Sequence, residues 1–336
     1  MTLTGSKGIK KMKKIIATLL LLTMALFAFG SCQPETDDTQ IKVGFLAGPT
    51  GIGMAKMIND YGGVDAAEQY DFVKYTAPKT AIDDVVAGKI DITCVSTEAA
   101  AKFYNEGSDI QVLAINCLNS VCLLTNDNVT ISSISDLEGK TIYTCMQGTP
   151  KLILKALLDA YGINATIAHK IGEDTINTPD QIAPVIVGNK ADIILSPVHV
   201  AYNAMANPKA KHSVALDIDA LWDTKFDTPI AMGCIVARKG FVDEHPVAIE
   251  NFLTAYKASI EYMATPENNA SAAQYVIDST VLPNLEPAKG ALTELKEGLK
   301  YIDGTEMKTV LKNIYNVYGL NVIGGKLPDD GFYYEK

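Results

Sequence analysis

Two segments one hundred residues apart share one pattern, and this repetition constrains the fold more than any other feature. Residues 81–107 read AIDDVVAGKIDITCVSTEAAAKFYNEG, and residues 181–207 read QIAPVIVGNKADIILSPVHVAYNAMAN. Each contains a helical pattern that stops at a glycine, then an apolar run of strand length, a polar loop and a second helical pattern. The chain therefore holds two copies of one α/β unit, which predicts two lobes of the same architecture.

Strand and helix patterns alternate along most of the chain from Ile41 onwards. The runs IKVGFLA, YDFVKYTA and IDITCVS have strand length, and helical patterns separate them. Such a succession indicates a parallel sheet with crossover helices. We predict an α/β fold in which each lobe is a mostly parallel sheet flanked by helices. After residue 239 helical patterns dominate to the end.

The N-terminus has the pattern of an export signal. Five lysines precede an uncharged run that ends at Phe29 and is shorter than the roughly 20 residues that span a membrane. The tail FGSC resembles a bacterial lipoprotein cleavage box, in which Cys32 becomes the lipidated first residue. We predict a signal peptide over 1–31 and a polar tether over 32–40. The alternative is an ordinary secretory signal cut near Ser31.

The charge of the mature chain excludes some classes of partner. Removal of the signal peptide leaves 24 basic and 39 acidic residues, a net charge of −15. Such an acidic body is not expected to bind nucleic acid or anionic lipid. Lipid attached to Cys32 is the predicted link to the membrane, which would place the protein outside the cytoplasm, in the periplasm or at the cell surface.

The cysteines and histidines show no spacing typical of a metal site, and we predict no metal and no cofactor. Four cysteines lie in apolar, strand-like runs, where a free thiol is a common buried group; these are Cys94, Cys117, Cys122 and Cys234. A bridge between Cys117 and Cys122 is not expected, because their odd spacing on one strand directs the side chains to opposite faces.

Loop A, residues 48–53 with the sequence GPTGIG, joins a strand pattern to a helical pattern. Its spacing fits neither the dinucleotide fingerprint nor the P-loop, which needs a lysine after the last glycine. Backbone N–H groups at such a helix start can instead hold a carboxylate, a sulfonate or a polar ring. We therefore expect Gly48, Pro49, Thr50 and Gly51 to bind ligand, and Gly51→Val to abolish binding without unfolding. The alternative is a tight turn with no ligand.

Loop B, residues 145–150 with the sequence CMQGTP, is the counterpart of loop A in the second unit. Gln147, Gly148 and Thr149 precede a helical pattern in which Pro150 suits the first position. These three residues are candidates for the second side of a binding cleft.

Further candidates follow other strand patterns. Ser96 and Thr97 either bind ligand or cap the next helix, and Glu98 either pairs a cationic ligand or favours the first helical turn. Asn116 is a polar residue within an apolar run and needs partners if it is buried. The remaining candidates are Ser196, His199 and Met232.

Five stretches of the sequence, taken in order, resemble one family. They are VGFLAGPTGIGMAKMI, AGKIDITCVSTEAAAKFYNEG, ISDLEGKTIYTCMQGTP, GNKADIILSPV and CIVARKGFVDEHPVAIENFLTAYKASIEYM. Together with the export signal they resemble substrate-binding lipoproteins of ABC importers, in the branch of nitrate, taurine and thiamine-precursor (NMT1/THI5-like) binding proteins. The resemblance covers Ile41 to the C-terminus.

The resemblance implies a type II periplasmic-binding-protein fold, with ligand between two lobes joined by two crossing strands. The first crossing is then expected near Val121–Thr125 and the return near 228–233. Lobe one would comprise 41–125 plus 232–336, and lobe two 126–231.

The function that the resemblance implies is capture of a small solute by a monomer and its delivery to the permease and ATPase of an ABC importer, with no chemical step. The alternatives are an enzyme of cofactor-precursor metabolism on the same fold, or a sensor or adhesin lipoprotein. Because the only arginine, Arg238, lies in a surface-turn pattern, a neutral or aromatic heterocycle is favoured over a strongly anionic ligand.

Overall fold

The computed structural model of the protein describes residues 39–62, 69–295 and 297–335. The predicted signal peptide, the predicted lipidation site Cys32 and most of the predicted tether lie outside these residues. Within the described ranges, no helix has the length and apolar character needed to cross a membrane.

Most strands lie in the apolar runs of the sequence, and they are numbered in chain order. They are β1 (Ile41–Leu46), β2 (Tyr70–Tyr75), β3 (Ile92–Ser96), β4 (Ile110–Leu118), β5 (Val121–Thr125), β6 (Thr141–Tyr143), β7 (Thr166–Ala168), β8 (Lys170–Ile171), β9 (Asp174–Thr175), β10 (Ile193–Pro197), β11 (Ser213–Leu216) and β12 (Ala231–Arg238).

Helices cover both sheets and fill the C-terminal part of the chain. They are α1 (Pro49–Ile52), α2 (Ala55–Tyr61), α3 (Pro78–Val86), α4 (Thr97–Asn105), α5 (Pro150–Tyr161), α6 (Ala183–Val187), α7 (Val198–Met205), α8 (Ile218–Asp223), α9 (Lys239–Glu244), α10 (Pro246–Ala264), α11 (Asn269–Asp278), α12 (Leu285–Leu295) and α13 (Gly304–Tyr318). Short 3-10 turns occur at Ile134–Leu137, Pro179–Ile182, Pro266–Asn268, Leu320–Ile323 and Asp330–Phe332.

Two five-stranded sheets form the framework, in the orders β2-β1-β3-β12-β4 and β11-β5-β10-β6-β7. In the first sheet β12 runs antiparallel to both of its neighbours, while β1 is parallel to β2 and to β3. In the second sheet β5 runs antiparallel to both of its neighbours, while β6 is parallel to β7 and to β10. Each sheet thus has one reversed strand, and the predicted α/β class of two helix-flanked sheets is confirmed.

The two reversed strands are the ones that the chain enters from the other sheet. The chain leaves the first sheet after β4 and enters the second at Val121, through Asn119 with φ 41° and Ser120. The lobe boundary expected from the sequence, at residue 125, assigns the segment expected to form the first crossing, Val121–Thr125, to lobe one. This segment is instead strand β5 of the second sheet. The physical reason is its pairing with β10 along its whole length, with all five residues buried. The chain re-enters the first sheet at Ala231.

The helix that follows loop B shows how local sequence sets an element. Pro150 occupies the first turn of α5, where its missing N–H has no helical acceptor to lose. The helix ends at Gly162, which takes a left-handed conformation that few other residues adopt easily. Between these ends, Ile153, Leu154 and Leu157 recur at helical spacing and are buried.

The C-terminal segment contacts both sheets' helices. On helix α12, Glu294 accepts a hydrogen bond from the Tyr202 hydroxyl of α7 at 3.0 Å. Just before α12, the Asn284 side chain donates to Asn203 of α7, also at 3.0 Å. Although it lies within 232–336, α12 thus packs on a helix that follows a strand of the second sheet.

The thiols and the single tryptophan are part of the protein's core. The five cysteines that the structure describes are buried and form no disulfide, which confirms the expectation for the four in apolar strand patterns. Trp222 is also fully buried, and its indole N–H donates to Thr228 O at 2.7 Å. This hydrogen bond gives the one polar group of the buried indole ring an acceptor, as burial requires.

Candidate functional site

Four strand-to-helix junctions define the candidate site. β1 is followed by loop A, which contains the short helix α1, and β3 leads directly into α4. In the second sheet, β6 leads into α5 through loop B, and β10 leads directly into α7. These junctions lie at the carboxyl ends of their strands, where ligands bind in open α/β sheets.

Loop A uses most of its own backbone N–H groups. Gly48 has φ 104°, and its carbonyl accepts the N–H groups of Gly51 and Ile52 at 3.0 and 2.9 Å. Pro49 has no N–H group, so Thr50 carries the one amide of this first turn with no acceptor in the described part of the protein. Within loop A the N–H groups of Gly51 and Ile52 are therefore engaged by the loop itself, and the Thr50 N–H is the one of these three that a ligand could accept.

Gly51 is required by the close approach of its own chain. A Cβ added at Gly51 would lie 2.0 Å from the carbonyl oxygen of Leu46, far inside van der Waals contact. The expectation that Gly51→Val leaves the fold intact is therefore wrong. Gly51 shapes loop A, and substitution there would disturb the loop before it tested any ligand contact.

Gly48 and His199 bring the two halves of the molecule together. A Cβ at position 48 would lie 2.8 Å from His199 Cε1 and 2.9 Å from Nε2, so the imidazole packs directly on the glycine backbone. Gly48 belongs to loop A of the first sheet, whereas His199 lies in the first turn of α7 after β10 of the second. The missing side chain at Gly48 is what allows this contact across the two sheets.

Gly233 on β12 makes room for two polar side chains of the first sheet. A Cβ at Gly233 would lie 2.4 Å from Thr50 Cγ2 and 2.6 Å from Asn116 Oδ1. Asn116 is fully buried, and its amide nitrogen donates to the Tyr256 hydroxyl at 2.7 Å. Its Oδ1 is also buried and has no hydrogen-bond partner among the described residues. Gly233 pairs with Ser96 across the sheet, which places the Asn116 group next to the β3 junction.

A buried carboxylate bridges the β3 junction and loop B. Ser96 Oγ donates to Glu98 Oε1 at 2.8 Å, and Thr149 Oγ1 donates to Glu98 Oε2 at 2.9 Å. Glu98 is 9% exposed and Thr149 is 2% exposed. Gly148, with φ 87°, forms the turn in loop B just before Thr149. Ser96 and Thr149, two of the predicted site residues, therefore both donate hydrogen bonds to Glu98, whose role the sequence left open.

Other candidates have polar groups that are already engaged elsewhere. Thr97 Oγ1 donates to Ala231 O at 2.7 Å, and Ser196 Oγ, fully buried, donates to Pro197 O at 3.1 Å. Met232 Sδ accepts hydrogen bonds from the backbone and hydroxyl of Ser120 at the crossing between the sheets. These contacts give all three residues structural partners.

Gln147 is exposed, as is its neighbour Met146 in loop B, whereas Thr149 is buried. Its N–H donates to Asn177 O at 3.0 Å, which fixes the loop backbone. The structure therefore gathers Gly48, Thr50, Ser96, Asn116, Thr149 and His199 around the junctions, with Pro49, Gly51 and Gly148 shaping the loops.

The electrostatics of the gathered residues are acidic. Burial raises the pKa of the Glu98 carboxyl above its ordinary value, against the opposing effect of hydrogen bonds from Ser96 and Thr149. Burial also lowers the pKa of His199 to about 4, so this imidazole is neutral near pH 7. In the described ranges no lysine or arginine side chain bonds to Glu98. Among the residues that the structure describes, the site therefore has no positive side chain hydrogen-bonded to the Glu98 carboxylate.

Sequence reasoning left the roles of two residues of this group open. Gly233 lies beside Met232 where the chain re-enters the first sheet, a place from which both residues are expected to line the cleft floor. That Gly233 makes room for Thr50 and Asn116 cannot be read from the sequence, because these two side chains come from distant segments. Glu98 follows the strand β3 by two positions, a place where an acid also suits a helix start. Only its burial and its bond to Thr149 distinguish the two roles.

Two surface depressions lie away from these junctions. One has a volume of about 290 Å³ and is lined by Asp303, Gly304, Thr305, Tyr334 and Glu335. The other, of about 500 Å³, lies between Lys257 on α10 and Tyr301. Neither contains a residue of the four junctions, so the convergence of the loops, rather than surface concavity, identifies the candidate site.

Comparisons with known families and structures agree with this architecture. The family model described as NMT1/THI5 like matches residues 64–270, which is more than half of the chain. No curated protein sequence matches the chain.

Solved structures of transporter binding proteins share the fold. An ABC transporter protein from Parabacteroides distasonis has a TM-score of 0.72 at 18% identity and covers 89% of this chain and 100% of its own. The aliphatic sulphonate binding protein SsuA from Escherichia coli gives 0.67 at 14%, with 89% and 93% covered. The nitrate-binding protein NrtA from Synechocystis PCC 6803 gives 0.55 at 16%, with 81% and 75% covered. At these identities the likeness establishes the fold, which is that of type II periplasmic binding proteins.

Proposed function

The chain belongs to the NMT1/THI5-like family, and from this premise we propose that it is an extracytoplasmic solute-binding lipoprotein of an ABC importer. It would capture a small molecule between its two sheets as a monomer and deliver it to the permease and ATPase subunits. The observation that carries the proposal is the hydrogen bond between Thr149 of loop B and Glu98 at the β3 junction. A solute enclosed beside this bond would contact both halves of the molecule at once.

The proposed ligand contacts come from both halves of the molecule. From the first sheet they are Gly48, Thr50, Ser96, Glu98 and Asn116. From the second they are Thr149 and His199. Binding between two lobes favours a closed form through hinge motion about a few linker residues, and the closed form would dock on the permease. Because no bond changes, the proposed function has no chemical step.

Ligand-induced stabilisation tests the proposal. A receptor gains RT ln(1 + [L]/Kd) of unfolding free energy, which is about 2.7 kcal/mol when the ligand is present at 100 times its Kd. We would purify the mature chain, identify co-purified molecules by native mass spectrometry, and screen importer solutes by thermal shift. Small-angle scattering with and without the hit would measure closure. The proposal fails if no solute raises the melting temperature and the scattering profile never changes, or if the protein turns over a candidate substrate.

The lipid anchor rests on the sequence of the N-terminal segment. We expect radiolabelled palmitate to enter the wild-type protein expressed in bacteria, and not to enter Cys32→Ser. Equal labelling of both proteins, or of neither, would contradict lipidation and leave an ordinary secretory signal as the explanation of residues 1–31.

A further inference from the structure

Strand β4 lies at the edge of the first sheet and yet is buried along its whole length. Among the described strands, β12 pairs with one side of β4 and none pairs with the other. All nine residues of Ile110–Leu118 are nevertheless buried. An edge strand presents a row of backbone N–H and C=O groups that can pair with another chain. Burial of this edge therefore requires other segments to cover it and to bond its backbone groups.

Two of the covering segments lie next to helices α12 and α13. The Leu118 N–H, at the end of β4, donates to Gly298 O at 2.7 Å. In the middle of the strand, Ile115 and Ile302 exchange two backbone hydrogen bonds of 2.8 and 3.1 Å. Gly298 comes just after α12, and Ile302 comes just before α13. The packed helices on either side therefore hold these two covers in place.

The third cover is the strap, which we define as residues 329–335, and it lies on the beginning of β4. Its Tyr334 N–H donates to Val112 O at 2.9 Å. The Gln111 side-chain amide of β4 donates to Gly331 O of the strap at 3.1 Å. The strap therefore occupies the place that a further strand of the sheet would take.

Side chains attach the strap by apolar packing and by charge. Phe332 is fully buried and packs against the Tyr104 ring of α4, with the ring centroids 5.0 Å apart. Lys308 on α13 contacts Asp330 at 3.2 Å and Glu335 at 2.7 Å, one near each end of the strap. Because ion pairs that reach solvent contribute little, the buried ring and the backbone bond are the main attachments.

The sequence of β4 favours pairing with a second copy of itself. IQVLAINCL contains no charged residue, no proline and no glycine. Uncharged β-forming segments of this kind pair between chains when they are exposed. Natural edge strands often prevent such pairing with a lysine or a proline, and β4 has neither. Its protection therefore depends on the segments that cover it.

We propose that the strap keeps the protein monomeric, and that β4, once the strap is released, pairs with β4 of a second copy. Two identical strands that pair antiparallel use the same surface on both copies, which gives a closed two-fold dimer. The groove left by Phe332 would add apolar area to this contact. The inference concerns the outer edge of the first sheet and does not depend on the solute.

Variants of the full chain test the proposal. All of them would carry Cys32→Ser, so that no lipid contributes to self-association. Tyr334→Pro removes the N–H that bonds to Val112, and Phe332→Asp places a charge at a buried apolar position, so the double variant should release the strap. We expect light scattering to give it about twice the wild-type molar mass. The matched control, Phe332→Leu with Tyr334→Ala, keeps an apolar side chain and the N–H, and should stay monomeric.

Two additions assign the contact to β4. Gln111→Lys in the double variant places like charges on both copies of the strand, and should return the protein to a monomer. Gln274→Lys makes the same charge change at an exposed position of α11, and should leave the dimer intact. A synthetic peptide of residues 329–335 should also dissociate the dimer by taking the place of the strap. The same peptide with Phe332→Ala is the control.

Each outcome decides the proposal. A double variant that is folded by circular dichroism and monomeric at every concentration overturns it, as does a wild-type protein that is already a dimer. A dimer that persists both with Gln111→Lys and with the peptide places the contact elsewhere and also overturns it. If the double variant does not fold, Tyr334→Pro alone decides, because it keeps Phe332 in place. It should form a larger dimer fraction than Tyr334→Ala, and equal fractions overturn the proposal.

Discussion

Thr149 Oγ1 donates a 2.9 Å hydrogen bond to Glu98 Oε2, and this bond joins loop B of the second sheet to the first turn of α4 on the first. Thr149 is 2% exposed and Glu98 is 9% exposed, so the bond lies within the protein and is shielded from solvent. A hydrogen bond to a charged group contributes about 1.5–3 kcal/mol. The bond therefore stabilises the arrangement in which the two sheets' junctions are in contact.

Removal of this hydroxyl should open the molecule without unfolding it. Thr149→Val keeps the volume and burial of the side chain but cannot donate, so we expect the equilibrium between open and closed forms to move toward the open form by about tenfold or more. Small-angle scattering of the ligand-free protein would report this as a larger radius of gyration. Thr309→Val, at an exposed position on α13, is the control. Identical scattering profiles for Thr149→Val and wild type would show that this hydrogen bond does not stabilise the closed form.

Substitution of Gly51 should damage the fold. A Cβ at this position would lie 2.0 Å from Leu46 O, and the backbone has little freedom to move because the site is buried. We expect Gly51→Ala to lower the free energy of unfolding by about 1–3 kcal/mol, the usual cost of overpacking. The control is Gly240→Ala, where a Cβ would meet only the flexible end of Arg238 at 3.0 Å. A Gly51→Ala protein as stable as Gly240→Ala in urea titrations would refute the close contact.

Asp219 should make the protein less stable as the pH rises. Burial, together with Asp217, Asp223 and Glu294, raises the pKa of Asp219 to about 7. The folded state then binds the proton more tightly than the unfolded state, so stability from this group is full at low pH and is lost between about pH 4 and pH 7.

We therefore expect Asp219→Asn to be more stable than wild type by about 1–2 kcal/mol at pH 8, a value reduced for partial solvent screening, and to match it near pH 4. Urea titrations at the two pH values would measure the difference. The control is Asp227→Asn, at an exposed position on the same segment. A constant difference between wild type and Asp219→Asn at both pH values would exclude this account.

His199 should have the opposite pH dependence. Burial lowers its pKa to about 4, whereas an unfolded chain titrates near 6.5, so the unfolded state binds more protons between these values. Stability from neutral His199 is therefore full above about pH 6.5 and is lost as the pH falls toward 4. Protonation would also place a charge against the Gly48 backbone.

Nuclear magnetic resonance can follow this titration directly. We expect the ring-proton resonance of His199, assigned by comparison with His199→Gln, to show little change between pH 8 and pH 5. A midpoint near 6.5 in the folded protein would show that the imidazole is solvated and does not pack between the two sheets.

Much of the architecture could be predicted because its signals are local. Helical patterns that stop at Gly88 and Gly188, and apolar runs of strand length, depend on neighbouring residues alone. The assignment of Val121–Thr125 shows the limit: the apolar run identifies a strand, but only its partner β10 decides which sheet it joins. Hydrogen bonding between strands distant in sequence leaves no mark in either strand by itself.

The sequence by itself determined the α/β alternation, the duplicated unit, the junction loops that precede helices, and the burial of the strand cysteines. Tertiary structure decided which junctions meet. Thr149 reaches Glu98 across 51 positions, and Gly233 makes room for Thr50 and Asn116 from two other parts of the first sheet. It also decided that Gly51 and Ile52 of loop A donate their N–H groups to the Gly48 carbonyl. The reason is that propensity and periodicity act within a few residues, whereas burial and hydrogen-bond partners depend on the packing of the whole chain.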